Sequence, residues 1–204
     1  MLLNTETVQP SGCSYQGYIT KIIKGLPCTA ARTHLRKRLD RWNLSTLPGH
    51  RVTKVVNACK VISETLPPRV LAAYLRVVCD GWCTRRRFQG LGRCRFGCGY
   101  DADEIKHYAS CTVIREGLRR HFGILPATRG WELDCFLLLE SNPILCNYIP
   151  HGWEPDRYVT RQRAIACYAV YRILNSLRHG LLIEAEISEA FPGFIREALR
   201  DHTH

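Results

Sequence analysis

The stretch "RYVTRQRAIACYAVYRILNSLRHG", residues 157–180, carries the clearest period in the chain. At about 100° per residue, Val159, Ala166, Cys167, Val170, Ile173, Leu174, Leu177 and Leu181 share one arc, while Arg157, Arg161, Tyr168, Arg172, Asn175 and His179 fall opposite. That pattern predicts a long amphipathic helix with Gly180 as its C-terminal stop. Upstream, "TAARTHLRKRLDRW" places Leu35 and Leu39 at helical spacing among Arg32, Arg36, Lys37, Arg38 and Arg41, which predicts a basic helix. After the Pro48-Gly49 break, Val52, Val55, Val56, Cys59, Ile62 and Leu66 recur at helical intervals. Pro67 and Pro68 stop that helix and open "RVLAAYLRVVCDGW", since proline is tolerated in a first helical turn. The two are expected to bury their apolar stripes against each other. Near the C-terminus "LLIEAEISEAF" is expected to break at Pro192-Gly193 before a last short helix. With no internal repeat and little strand-type alternation, the expected architecture is mostly α.

A chain of 204 residues suits one domain, or one with an appended subdomain. Its 46% hydrophobic and 23% charged residues argue against wholesale disorder. Lys and Arg total 29 against 18 acids, a formal charge of +11, which favours polyanions: nucleic acid first, an acidic membrane second. "MLLNTETVQP" lacks the apolar core of a signal peptide, and "CFLLLESNPILCNYIP" is interrupted by Glu140, Asn142 and Pro143, so neither a secretory leader nor a membrane span is expected. An intracellular location, nucleus or cytoplasm, follows. In that reducing setting the eleven cysteines serve as thiols or metal ligands rather than disulfides.

Between the helical halves the composition changes. Gly81, Gly90, Gly92, Gly97 and Gly99 accompany Arg85, Arg86, Arg87, Arg93 and Arg95, which is loop composition with strong positive charge. There "CRFGCGYDADEIKHYASC", residues 94–111, holds three cysteines and one histidine. Asp101 followed by Glu104 has the form of a capping box. A helix opened there places His107 and Cys111 on one face, and Gly97 and Gly99 let Cys94 and Cys98 converge in a turn. Cys94, Cys98, His107 and Cys111 then form a Cys₃His set, which Zn²⁺ accepts as a closed tetrahedral site. Two other readings stand beside it: cysteines packed as small hydrophobes, and a Cys111–His107 nucleophile pair, for which no orienting third group is apparent. Cys79, Cys83 and His121 flank the stretch as alternative ligands to Cys94.

The order "GWCTRRRF", "CRFGC", "HYASC" and "YAVYRILNSLRHG", over about residues 65–180, resembles the zinc-binding region downstream of the polymerase in non-LTR retrotransposon (LINE-type) reverse transcriptases. The resemblance implies that Cys94, Cys98, His107 and Cys111 are metal ligands and that the segment contacts nucleic acid. The chain departs from the family in spacing, with a longer gap between the first two cysteines and a shorter one between the histidine and the last cysteine. The family's catalytic pattern is missing as well. "GYDADE" lacks adjacent aspartates and flanking apolar strands, and Pro155-Asp156 is followed by a basic helix instead of an endonuclease strand. His50 and His151 show no Ser/His/Asp logic, and no GxxxxGK phosphate loop occurs. No catalytic activity is expected of this chain.

The expected organisation is therefore a helical domain with a small irregular zinc-knuckle insert. It comprises a loose N-terminal segment at 1–27, a helical segment with a basic first helix at 28–80, an Arg-rich zinc-knuckle module at 81–122, and a C-terminal helical segment at 123–204. The expected function is non-catalytic, zinc-dependent binding of single-stranded RNA or DNA. Arg85, Arg86, Arg87, Arg93 and Arg95 meet phosphates, Phe88, Phe96 and Tyr100 lie between them where exposed bases can stack, and Arg161 and Arg172 either extend the track along the long helix or form a solvated outer face. Phe96 has a competing expectation, as a plug in the module's interior. The competing functions are a zinc-braced module for an acidic protein partner and an inactive retroelement remnant.

Overall fold

The computed structural model describes residues 29–82, 84, 92–125, 127, 129–140, 149 and 151–200. Eight α-helices are found among them, and no strands. They are α1 (Thr29–Leu39), α2 (Pro48–Thr65), α3 (Pro68–Val78), α4 (Ile105–Tyr108), α5 (Thr112–Phe122), α6 (Glu132–Phe136), α7 (Pro155–Arg178) and α8 (Ile187–Leu199), with a 3₁₀ turn at Glu184–Glu186 before α8. The mostly α fold with an irregular insert is thus present. Among the described residues no helix is long and apolar enough to cross a membrane. The expected loose segment at 1–27 lies outside the described residues.

The 157–180 stretch forms the centre of the molecule. Helices α2, α3, α5 and α8 all pack on α7, so every residue from Arg163 to Val170 is buried. The run "AIACYAV" is apolar on all sides of the helix, as a core helix requires. Two positions depart from the expected arcs. Tyr168, assigned to the outer face, is buried because its hydroxyl donates to Glu197 Oε1 of α8 at 2.7 Å. Leu181, assigned to the inner face, is 77% exposed, because Gly180 at φ 66° turns the chain off the helix axis first.

Helices α2 and α3 contact each other, but both bury against α7 as well. The prolines act as expected: α2 ends at Thr65 and Pro68 opens α3. Helix α1 docks on α2 through Leu35 and Leu39, and Trp42 just beyond it donates from Nε1 to the Val78 carbonyl at 3.1 Å. Arg36, Lys37 and Arg38 occupy its last turn, where the helix dipole favours cations. The buried carboxylate of Asp134 accepts the backbone N–H groups of Ser45 (3.0 Å) and Thr46 (2.7 Å), which ties the α1–α2 loop to α6.

The expected break at Pro192-Gly193 does not occur, and α8 runs through both residues. An interior proline costs a helix about 3 kcal/mol. Here Ile187, Phe191 and Ala198 are fully or almost fully buried, and burying one large side chain alone contributes about 1.5–3 kcal/mol. Tertiary packing outweighs the local penalty. Phe191 lies so close to α5 that a Cβ built on Gly117 would come within 2.5 Å of its ring.

Candidate metal centre

Residues 94–100 form a tight turn. The Gly97 N–H donates to the Cys94 carbonyl at 3.1 Å, and the Cys94 N–H donates to the Tyr100 carbonyl at 2.8 Å. Gly97 (φ 74°) and Gly99 (φ 80°) both adopt the left-handed conformation that side chains disfavour. At Gly97 a Cβ would also meet the Glu184 carboxylate at 2.4 Å, so the strap leading into α8 lies directly over the turn. The effect is to aim the Cys94 and Cys98 side chains at one point.

The other two ligands arrive differently from the expected capping box. Asp101 caps no helix: α4 starts at Ile105 with Glu104 as N-cap and lasts four residues. His107 lies on α4, but Cys111 lies beyond it, as the N-cap residue of α5. A turn at 109–110 separates the two residues, so they converge from successive helices and not from one helical face.

The ligand atoms of Cys94, Cys98, His107 and Cys111 all lie within 4.8 Å of one another. Cys94 Sγ and Cys111 Sγ are 3.8 Å apart, and Cys98 Sγ lies 3.1 Å from His107 Nε2. Metal–sulfur bonds of about 2.3 Å at tetrahedral angles put two sulfurs about 3.8 Å apart, which is the first of these spacings. Cys94 and Cys111 are buried, while Cys98 and His107 are half-buried. Hydrogen bonding between Cys111 and Cys94, reinforced by burial, pushes the Cys94 thiol far above the ordinary range. The same bond pulls Cys111 below it. Burial lowers the proton affinity of His107 and keeps its imidazole available as a neutral ligand. The four residues make a Cys₃His cluster able to hold a metal ion.

Neither Cys79 nor His121 belongs to the cluster. The His121 ring instead stacks on Phe191 with centroids 5.4 Å apart. Cys83 is outside the described residues, as are Arg85, Arg86, Arg87 and Phe88.

The insert has an apolar interior, as the competing expectation for Phe96 required. Phe96 fills the module's centre at 1% exposure, edge-on to Tyr108 with centroids 5.2 Å apart. Phe96, Ile105, Tyr108 and Ile114 join the same buried cluster as the core of α7. Asp103, almost fully buried, forms an ion pair with Arg178 at the end of α7 and accepts a hydrogen bond from the Tyr108 hydroxyl. Sequence reasoning passed over this pair, because nothing local marks an aspartate and a distant arginine as partners.

The remaining basic residues divide. Arg93 is 84% exposed, with Asp101 at 3.5 Å, and Arg95 is exposed on the turn itself. Arg172 is partly exposed at the edge of the α7–α8 interface, where it pairs with Glu197 and lies over the Phe194 ring at 5.2 Å. Arg161 is laid over the Trp153 ring at 5.5 Å. Comparison of the chain with protein-family models, with curated proteins and with solved structures found no match.

Proposed function

We propose that the chain is a non-catalytic, zinc-dependent module that binds single-stranded nucleic acid. One observation carries this: four ligand atoms converge on a turn that also displays Arg93 and Arg95 to solvent. Three thiolates and one imidazole in a tetrahedral set are the donor chemistry of a structural Zn²⁺ site, with no position open for water or substrate. When bound, the ion supplies cross-linking free energy and no Lewis-acid chemistry. The turn, held in that way, fixes the spacing of the two guanidinium groups, which grip phosphate oxygens bidentately. Arg161 and Arg172 are left out of the contact surface. The order of the four ligands, followed by a long helix, supports a relation to the region downstream of the polymerase in non-LTR retrotransposon reverse transcriptases.

Metal analysis by mass spectrometry of protein purified without chelator should give one zinc per chain. Cys98→Ser and Cys111→Ser should each abolish it. A fluorescently labelled single-stranded oligonucleotide should bind with an affinity that falls steeply with salt. Each arginine–phosphate contact on a single strand contributes about 0.7 to the slope of log affinity against log salt. Replacing Arg93 and Arg95 together should therefore flatten that slope by about 1.4. A metal-free wild-type protein, or affinity indifferent to salt, refutes the proposal.

A further inference from the structure

Tyr100 sits at the rim of the candidate metal centre with its ring 4.2 Å from that of His107 and nearly parallel to it, at 11°. One aromatic face is used in this way, and the residue remains 52% exposed. Its backbone is pinned by the hydrogen bond from Cys94 and by the left-handed Gly99 beside it. A tyrosine braced like this loses little entropy when a second ring lies on it. Tyr100 itself lines an open recess of about 400 Å³ together with Cys98 and His107 of the cluster and with Glu104, Lys106 and Thr112. Lys106 is exposed there, and the Arg93–Asp101 pair nearby is over four-fifths exposed on both sides. Such a pair is screened and weak, so a phosphate can take the place of the carboxylate.

We propose that the open face of Tyr100 is a stacking platform for one unpaired nucleobase, with Lys106 and Arg93 meeting the adjoining phosphates. This rests on the proposed function and names the element of nucleic acid that the module reads. A paired base offers no free face, so the platform selects single strands or loops.

The test uses the full chain loaded with zinc and short RNA and DNA single strands carrying 2-aminopurine, a fluorescent adenine analogue quenched by stacking. Tyr100→Leu keeps apolar cover over His107 but removes the aromatic face, and Tyr100→Phe restores it. Wild type and Tyr100→Phe should quench the probe. Tyr100→Leu should not, and should bind about 5- to 150-fold more weakly, the equivalent of about 1–3 kcal/mol of stacking. An abasic strand should bind all three proteins alike. Equal quenching and affinity in wild type and Tyr100→Leu, at unchanged zinc content, overturns the platform while leaving the proposed function standing. Failure of wild type to bind any strand removes both.

Discussion

Breaking the ion pair between Asp103 and Arg178 should loosen the insert from the helical core, and the size of the effect follows from burial. The two side chains are 2% and 9% exposed, and Tyr108 adds a hydroxyl donor to the same carboxylate. Removing one member of a buried pair leaves the other charge without compensation, at a cost of about 3–5 kcal/mol. For a domain stable by roughly 5–15 kcal/mol that is a large share. With a urea slope of about 2 kcal/mol per molar, Asp103→Asn should lower the unfolding midpoint by about 1.5–2.5 M. Arg178→Met should act in the same direction. The double variant should cost less than the two single changes added together, because a buried pair replaced on both sides loses no compensation. Equilibrium unfolding followed by tryptophan fluorescence measures all three. Midpoints within about 0.5 M of wild type in both single variants would mean that water reaches the pair and that it does not clamp the insert to α7.

Other outcomes follow from separate parts of the structure. Gly117→Ala places a methyl group against the Phe191 ring and should cost about 1–3 kcal/mol by overpacking, measured as a lowered melting temperature. Arg172→Met removes a pair whose side chains are 38% and 31% exposed, so it should change stability by less than about 1 kcal/mol and leave oligonucleotide affinity unchanged. His34 is held below its usual proton affinity by burial and by Arg38, Arg41 and Lys37. A histidine depressed in the fold favours its neutral form there, so its contribution is present above the unfolded value near 6.5 and is lost as pH falls through the lower folded value. NMR titration should place the His34 midpoint below 6.5, and His34→Gln should blunt the loosening of α1 on acidification. Chelation should raise hydrogen exchange in residues 94–100 while far-UV circular dichroism stays near its starting value, since the helices are held by the α7 core.

The helices were legible because their information is local. Val52, Val55, Cys59 and Ile62 repeat at helical spacing and are buried as that spacing requires. Pro68 opens α3 for a steric reason that operates within one turn. The convergence of Cys94, Cys98, His107 and Cys111 was legible too, since four residues of metal-binding type crowd one short stretch. What failed depended on distant partners. Tyr168 counted as polar by its hydroxyl, yet that hydroxyl is satisfied by Glu197 from another helix. Pro192 reads as a breaker until Phe191 is seen buried. The Asp101–Glu104 spacing fits a capping box, but Cys111 reaches the cluster only because α4 ends at Tyr108. Asp103 carried no signal at all beyond its charge.

Charge places a further constraint on how the module meets an anion. Three thiolates and one neutral imidazole around a divalent cation sum to a net charge of about −1. A cluster loaded in this way would not attract phosphate, and near it among the described residues Arg93, Arg95 and Lys106 are the exposed cations that could. A divalent ion held there would act through geometry, drawing the half-buried Cys98 and His107 to the buried Cys94 and Cys111. On the inner side Phe96, Tyr108 and the Asp103–Arg178 pair already hold residues 96–108 to the core. The 94–100 turn has two backbone hydrogen bonds of its own and two glycines with wide conformational freedom. A metal at the cluster would tie the 94–100 turn to Cys111, in addition to the core contacts that Phe96 and Tyr108 already make.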